Sequence, residues 1–266
     1  MGRPPKNPAS TPGTALAKAK PTLPATINQE MADEVAALQS RLAAPSGDRI
    51  ALTKQHTFKM PNGEEADSVA AIVVDFISMN AYYSKPYVKG EITAPDCFAI
   101  GLEPTMLVPS PNSPDIQAET CAACWANQFK SHQNGKGKAC SNNKLLALLP
   151  PDADVDTPFN IMKVPTTSVK AFDGYVGSIA RAYQRPVRAV ITEFTSDEKV
   201  DWENVRFGNP EPCTKEQLAL AHSRKGEAMQ RLTIEPDVAS LQAQASAKAL
   251  PPPKKPTARG RPTTRK

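Results

Sequence analysis

The segment "CAACWANQFKSHQNGKGKAC", residues 121–140, restricts the fold more than any other stretch of the chain. Two thiolates in a C-x2-C knuckle can both reach one zinc ion, with Zn–S near about 2.3 Å. One such ion pins every segment that supplies a ligand to a single point. The chain has five cysteines, Cys97, Cys121, Cys124, Cys140 and Cys213. In a reducing compartment this spacing points to metal or redox chemistry rather than a disulfide. A closed site needs a second pair of ligands. Cys140 ends the loop after Gly135 and Gly137, and Cys97 opens the preceding segment. The expectation is a structural Zn2+ held by Cys97, Cys121, Cys124 and Cys140, with His132 as a substitute for Cys97 and Cys213 left over. Two other readings stand beside it: a reduced structural core, and a redox pair, although the βαβ context of a thioredoxin-like motif is missing. A catalytic zinc would need an open position and a nearby base. The chain shows no H-E-x-x-H and no H-x-E…C-x-x-C, and has three histidines in all.

The same segment contains "NGKGKA", which is not a Walker loop, because Ala139 stands where Ser or Thr is required and the glycine spacing is wrong. Its glycines still let backbone amides, Lys136 and Lys138 approach a phosphate. A solvated hairpin tip is the equal alternative.

Along the rest of the chain, residues 1–26 and 238–266 read as disordered basic arms, since proline, alanine and lysine cannot assemble a core. Residues 27–47 read as a short helix, 27–44, stopped by "PSG". A domain over 48–237 follows, with the zinc-bearing insertion at about 95–143. Strands are expected at 49–63 (closing on an Asn-Gly turn), 68–83, 144–150, 159–165, 185–196 and 200–208, with 87–93 and 97–102 as strands or irregular segments on either side of Pro95. A helix is expected from 166, with Val169, Phe172, Tyr175 and Ile179 on one face, and a final helix over 214–232. No βαβ alternation or dinucleotide fingerprint appears. The fold class is therefore mostly β or α+β, a small antiparallel barrel with one inserted helix and a C-terminal helix.

Charge is segregated. Residues 1–26 carry four cations and residues 248–266 carry seven, with no acid in either. Of the 32 Lys and Arg, 32 less those 11 leaves 21 against all 27 acids, so the body is mildly acidic. Basic flexible arms on an acidic body point to a polyanion partner. The tail ends "RGRPTTRK", where Arg259 precedes a Gly-Arg-Pro core containing Arg261 and suited to an A·T-rich minor groove, like an AT-hook. No apolar run reaches the roughly 18 residues of a membrane span, so no membrane partner is expected. Without a secretory leader the expected location is the cytoplasm.

Three basic clusters contain aromatic rings, the combination that binds single strands by charge plus stacking. They are Tyr82, Tyr83 and Tyr87 with Lys85 and Lys89; Trp125 and Phe129 with Lys130; and Tyr183 among Arg181, Arg185 and Arg188. Alternation sends Tyr82 and Tyr83 to opposite faces, so at most one of them points outward.

The run "FKMPNG…AAIVVDF…AYYSKPY…PDCFAI…CAACWANQF…GKGKAC", continued by "LLALLP…KVPTTSVKAFDGYVGSIARAYQRPVRAVIT", resembles a tailed-bacteriophage single-stranded DNA-binding protein family. The resemblance covers about residues 49–208. It implies an OB-like antiparallel barrel with a zinc-bearing insertion, coating single-stranded DNA in phage replication and recombination. It also implies phage replication proteins as partners and the host cell cytoplasm as location. One departure stands out, because such proteins usually end in an acidic recruiting tail and this chain ends in a basic one. The leading expectation is thus a non-enzymatic single-stranded DNA-binding protein. The alternative is a duplex DNA-binding accessory or transcription factor working through the tails. A zinc nuclease stands third, since no carboxylate–histidine constellation is present.

Overall fold

The fifteen residues of "SVAAIVVDFISMNAY" organise the molecule. Rich in β-branched side chains, which suit a pleated surface, they form one long strand, β4 (Ser68–Tyr82), with neighbours on both edges. In the computed structural model the described residues are 48–86 and 93–242. The arm 1–26, the helix at 27–44 and the tail from 243 lie outside them. So do Tyr87, Lys89, Arg259 and Arg261 and most of the segment 87–93.

Among the described residues nine strands form one sheet in the order β3-β2-β1-β7-β6-β4-β8-β9, with β5 also paired to β4. They are β1 (Arg49–Leu52), β2 (Phe58–Lys59), β3 (Glu65–Ala66), β4, β5 (Cys97–Gly101), β6 (Cys140–Leu149), β7 (Asn160–Val164), β8 (Val190–Thr195) and β9 (Arg206–Pro212). All pairings are antiparallel except β1 with β7. The protein is mostly strand, and the sheet curls strongly into a half-barrel. The expected 49–63 strand divides into β1 and β2. The Asn-Gly turn then leads into β3, with Asn62 Oδ1 accepting the Glu64 N–H at 3.0 Å.

Both faces of the sheet are covered. Helix α1 (Thr166–Tyr183) starts after Pro165, an N-cap residue in extended backbone with no N–H of its own to satisfy, and ends at Gln184 in the left-handed region (φ 52°). Its Phe172 is fully buried, edge-on to Phe76 at 5.0 Å and to Phe207 at 5.1 Å. Val69, Ala71, Val73, Leu146 and Leu148 complete that core. The opposite face packs Ile72, Val74, Ile77, Leu145 and Leu149 against Ala221, Ala228 and Leu232. These last three come from two helices, α2 (Lys215–Ser223) and α3 (Lys225–Leu232), where the sequence predicts one. The break falls at Arg224, whose guanidinium bonds Glu227 and the Thr157 carbonyl and stacks on the Phe159 ring.

A β-bulge interrupts β4 between Val73 and Asp75: Val73 pairs with Leu148, but Asp75 pairs with Ala147. Past it, Phe76 joins the α1 core and Ile77 the opposite core. The last strand also differs from expectation. The segment 200–205 is a loop tied down by Asn204, which bonds Asp197 from both ends of its amide, and β9 begins only at Arg206. Pro210 and Pro212 fit β9 because it is an edge strand. Residues 238–242 make one helical turn before the described chain stops, opened by Asp237, whose carboxylate accepts from the Ser240 N–H and hydroxyl. No helix among the described residues is long and apolar enough to cross a membrane.

Candidate metal centre and nucleic-acid interface

Strand register starts the site. Cys97 on β5 and Cys140 on β6 are both paired with Tyr82, one on each side, so the two cysteines share a face of the sheet. The insertion between β5 and β6 returns Cys121 and Cys124 to the same place. Cys121 is fixed by its N–H bond to the Leu107 carbonyl at 3.0 Å. The Cys124 carbonyl accepts the Asn127 N–H at 3.1 Å in the 3-10 turn Trp125–Asn127. All four side chains are buried, none more than 8% exposed, and all four line one cavity of about 10 Å3. A void of that size has room for about one small particle.

Among the described residues no three His, Cys, Asp or Glu side chains stand in ready coordinating geometry. The four cysteines nevertheless line one space. Burial, and then the charges of Cys121, Cys124 and Cys97, push the Cys140 thiol up to about 12, with Lys138 opposing. Burial also raises Cys121, against a hydrogen bond from Asn80 and with Cys97 and Cys124 adding to the rise. Left to themselves such thiols stay protonated; a divalent cation at their centre reverses that balance. Four sulfur donors without histidine or carboxylate form the donor set of a closed, structural zinc site. His132 is exposed and does not line the cavity, so it is not needed as a ligand. Cys213 lies elsewhere, its thiol directed at the Arg188 carbonyl.

Around the thiols the insertion has little core of its own. Its two clusters hold Ala99, Leu107 and Cys121, and Cys124, Ala126 and Cys140; Leu107 is the one large aliphatic side chain among them. Outside the cage stand the rings and cations. Trp125 is 50% exposed, packed edge-to-face with Tyr82 at 5.5 Å between ring centroids, and its Nε1–H is donated to Gln117 Oε1 at 3.2 Å. Phe129 is 75% exposed. Lys130, Lys136 and Lys138 are exposed on the loop that follows. That loop is ordered by the Lys130 N–H bond to the Gly137 carbonyl and by Ser131, whose hydroxyl donates to the Ala126 carbonyl and accepts the Ala139 N–H. Gly135 and Gly137 take φ of 67° and 74°, a region open to glycine at little cost. Lys138 reaches back to Asn127 Oδ1 at 3.0 Å, so the lysines and Trp125 belong to one lobe.

The remaining sequence candidates lie apart. Tyr83 is exposed on the opposite face from Tyr82, next to Arg49 and Asp96; burial of its hydroxyl raises its pKa, with Arg49 opposing. Lys85 is exposed beside it. Arg181 and Arg185 are exposed and Arg188 half-buried, where α1 leads into β8. Ile191 of β8 pairs with Ile72, ten residues of β4 away from Tyr82. At about 3.3 Å per residue that is on the order of 30 Å, so these arginines form a separate patch.

Sequence reasoning missed a second concavity. A cleft of about 420 Å3 opens on the Tyr83 face, lined by Arg49, Ser141, Asn143, Lys163, Thr166 and Glu203 with Leu145 and Ile161 beneath. Its two cations come from strands paired in parallel, far apart in sequence, so no local motif announces them. Comparison with protein-family models, with curated proteins and with solved structures returns no match for this chain.

Proposed function

We propose that this chain is a non-enzymatic single-stranded DNA-binding protein of the phage type, with the curled sheet serving as an OB-like platform. The observation that carries the reading is the convergence of four buried cysteines on an atom-sized cavity directly behind Trp125. Cys97 and Cys140 would hold structural zinc from the sheet and Cys121 and Cys124 from the knuckle. The cavity that the four cysteines line, about 10 Å3, is the space such an ion would occupy. When bound, the ion supplies a crosslink and no reactive position. The lobe so fixed presents two exposed rings with three lysines, the pairing of stacking faces and cations that single strands use. The basic tails would add salt-sensitive affinity, and phage replication proteins in the host cytoplasm are the partners this role implies.

The test is zinc quantitation on the full chain, combined with Trp125 fluorescence during titration with oligo-dT and with a duplex of matched length. The expected result is one zinc per chain, quenching by oligo-dT, and tighter binding to the single strand. Equal or tighter binding to duplex, abolished by removing 1–26 and 248–266, would replace this reading with the duplex factor.

A further inference from the structure

The cleft on the Tyr83 face has the composition of an anion site. Arg49 and Lys163 line the same cleft, and neither has an ion-pair partner among the described residues. The charge of Glu203 favours that of Lys163 and the charge of Arg49 disfavours it. One carboxylate against two cations leaves a positive charge in excess, which a further anion would balance. Asn143, 95% buried, faces the same space. The Thr166 hydroxyl donates to its Oδ1 at 3.3 Å, which fixes the amide. Its Nδ2 has only a marginal contact, 3.5 Å from the Ser141 carbonyl, so buried donor capacity is left over. The wall also includes Pro165 and Thr166, where the 18-residue α1 begins with no side-chain cap and no acid in its first turn. No side chain of the helix itself therefore offsets its positive end. Beneath lie Leu145 and Ile161, an apolar floor for a sugar or base. The volume, about 420 Å3, falls within the roughly 300–1,000 Å3 of small-ligand sites.

We propose that this cleft binds the phosphate of a nucleotide unit, with Arg49 and Lys163 as charged donors and the Asn143 amide as the orienting donor. The unit is either a free mononucleotide or one link of a bound strand; only the second source rests on the single-strand reading above. Glu203 sets the charge preference. It lies near Lys163 without pairing to it, and one carboxylate against two cations favours a singly or doubly charged phosphate over a triphosphate.

The experiment uses the full-length chain and three probes: dTMP, thymidine and oligo-dT, with dTTP as a competitor. Calorimetry should show saturable dTMP binding, with thymidine and dTTP each at least about tenfold weaker. Arg49→Gln and Lys163→Gln should each weaken dTMP at least about tenfold, and Glu203→Gln should strengthen it and relieve the discrimination against dTTP. Trp125→Ala should leave dTMP affinity unchanged. A wild type that ignores dTMP but loses oligo-dT affinity in Arg49→Gln and Lys163→Gln supports the strand as phosphate source. If dTMP binds and oligo-dT does not, the cleft stands as a nucleotide site and the single-strand function falls. If folded Arg49→Gln and Lys163→Gln match wild type on both dTMP and oligo-dT, the cleft proposal is overturned, while oligo-dT binding that still responds to Trp125→Ala leaves the function intact. Both substituted side chains are exposed, and thermal melting confirms folding of each variant.

Discussion

Charge and stacking on the insertion lobe leave different marks on a binding curve, so their contributions can be separated. Lys130, Lys136 and Lys138 are exposed on one loop. For a single strand each neutralised phosphate contributes about 0.7 to the slope of log affinity against log salt. Replacing all three by glutamine should flatten that slope by about 2. Lys138 already donates to Asn127 Oδ1 at 3.0 Å, so a change of about 1.4 is the floor if it stays so engaged. Between about 50 and 200 mM salt, a slope change of about 2 makes wild type lose about twentyfold more affinity than the triple variant. Removing a ring behaves otherwise. Trp125 is held edge-on to Tyr82 and bonded to Gln117, so it offers a preset face. Its loss should cost about 1–3 kcal/mol, or about fivefold to 150-fold, at every salt concentration. Fluorescence anisotropy of labelled oligo-dT across a salt series reads both effects, as a rotation of the line for the lysines and a parallel shift for the ring. A triple lysine variant with the wild-type slope would refute the placement of the strand on this lobe.

Three further outcomes are expected. Cys121→Ser and Cys124→Ser should lose the zinc that wild type and Cys213→Ser retain; on chelation the Cys121, Asn127 and Ala139 amides should exchange about a hundredfold faster or more, while β4 and β6 amides hold. Phe172→Ala should cost about 3–5 kcal/mol in urea unfolding, because the ring is fully buried between Phe76 and Phe207, whereas Trp202→Ala, at a site 57% exposed, should fall within about 0.5 kcal/mol. Partial desolvation of its ammonium lowers the Lys163 pKa, with Glu203 opposing and Arg49 adding, although the residue as a whole is exposed. The folded chain therefore holds that proton less well than the unfolded one, a cost present at neutral pH and relieved as pH climbs through the lowered value. Lys163→Gln should melt higher than wild type at pH 7, with the gap closing in alkaline buffer; a constant gap would remove desolvation as its cause.

Elements that announce themselves locally were legible in the sequence. The β-branched run of β4 and the three- and four-residue spacing of Val169, Phe172, Tyr175 and Ile179 on α1 need no tertiary information, and both appear as read. The grouping of Cys97, Cys121, Cys124 and Cys140 was also accessible, since C-x2-C spacing is itself a chemical signal. What escaped depends on distant partners. The break at Arg224 is set by Thr157 and Phe159, and the late start of β9 by the Asn204–Asp197 bonds. Likewise Arg49 and Lys163 meet only because β1 and β7 lie side by side, and no pattern within either strand hints at it. The distance of Arg181, Arg185 and Arg188 from the lobe follows from the register of β8 on β4, which composition does not encode.

The bulge at Val73–Asp75 has a long reach. Because side chains alternate with a period of two, one surplus residue reverses the parity of everything downstream: odd positions face α1 before it and even positions after it. That inversion is what turns Tyr82 toward the sulfur cage. Deleting Val74 would carry Tyr82 to the other face at the cost of one buried core side chain, so one extra peptide unit determines which surface that ring serves.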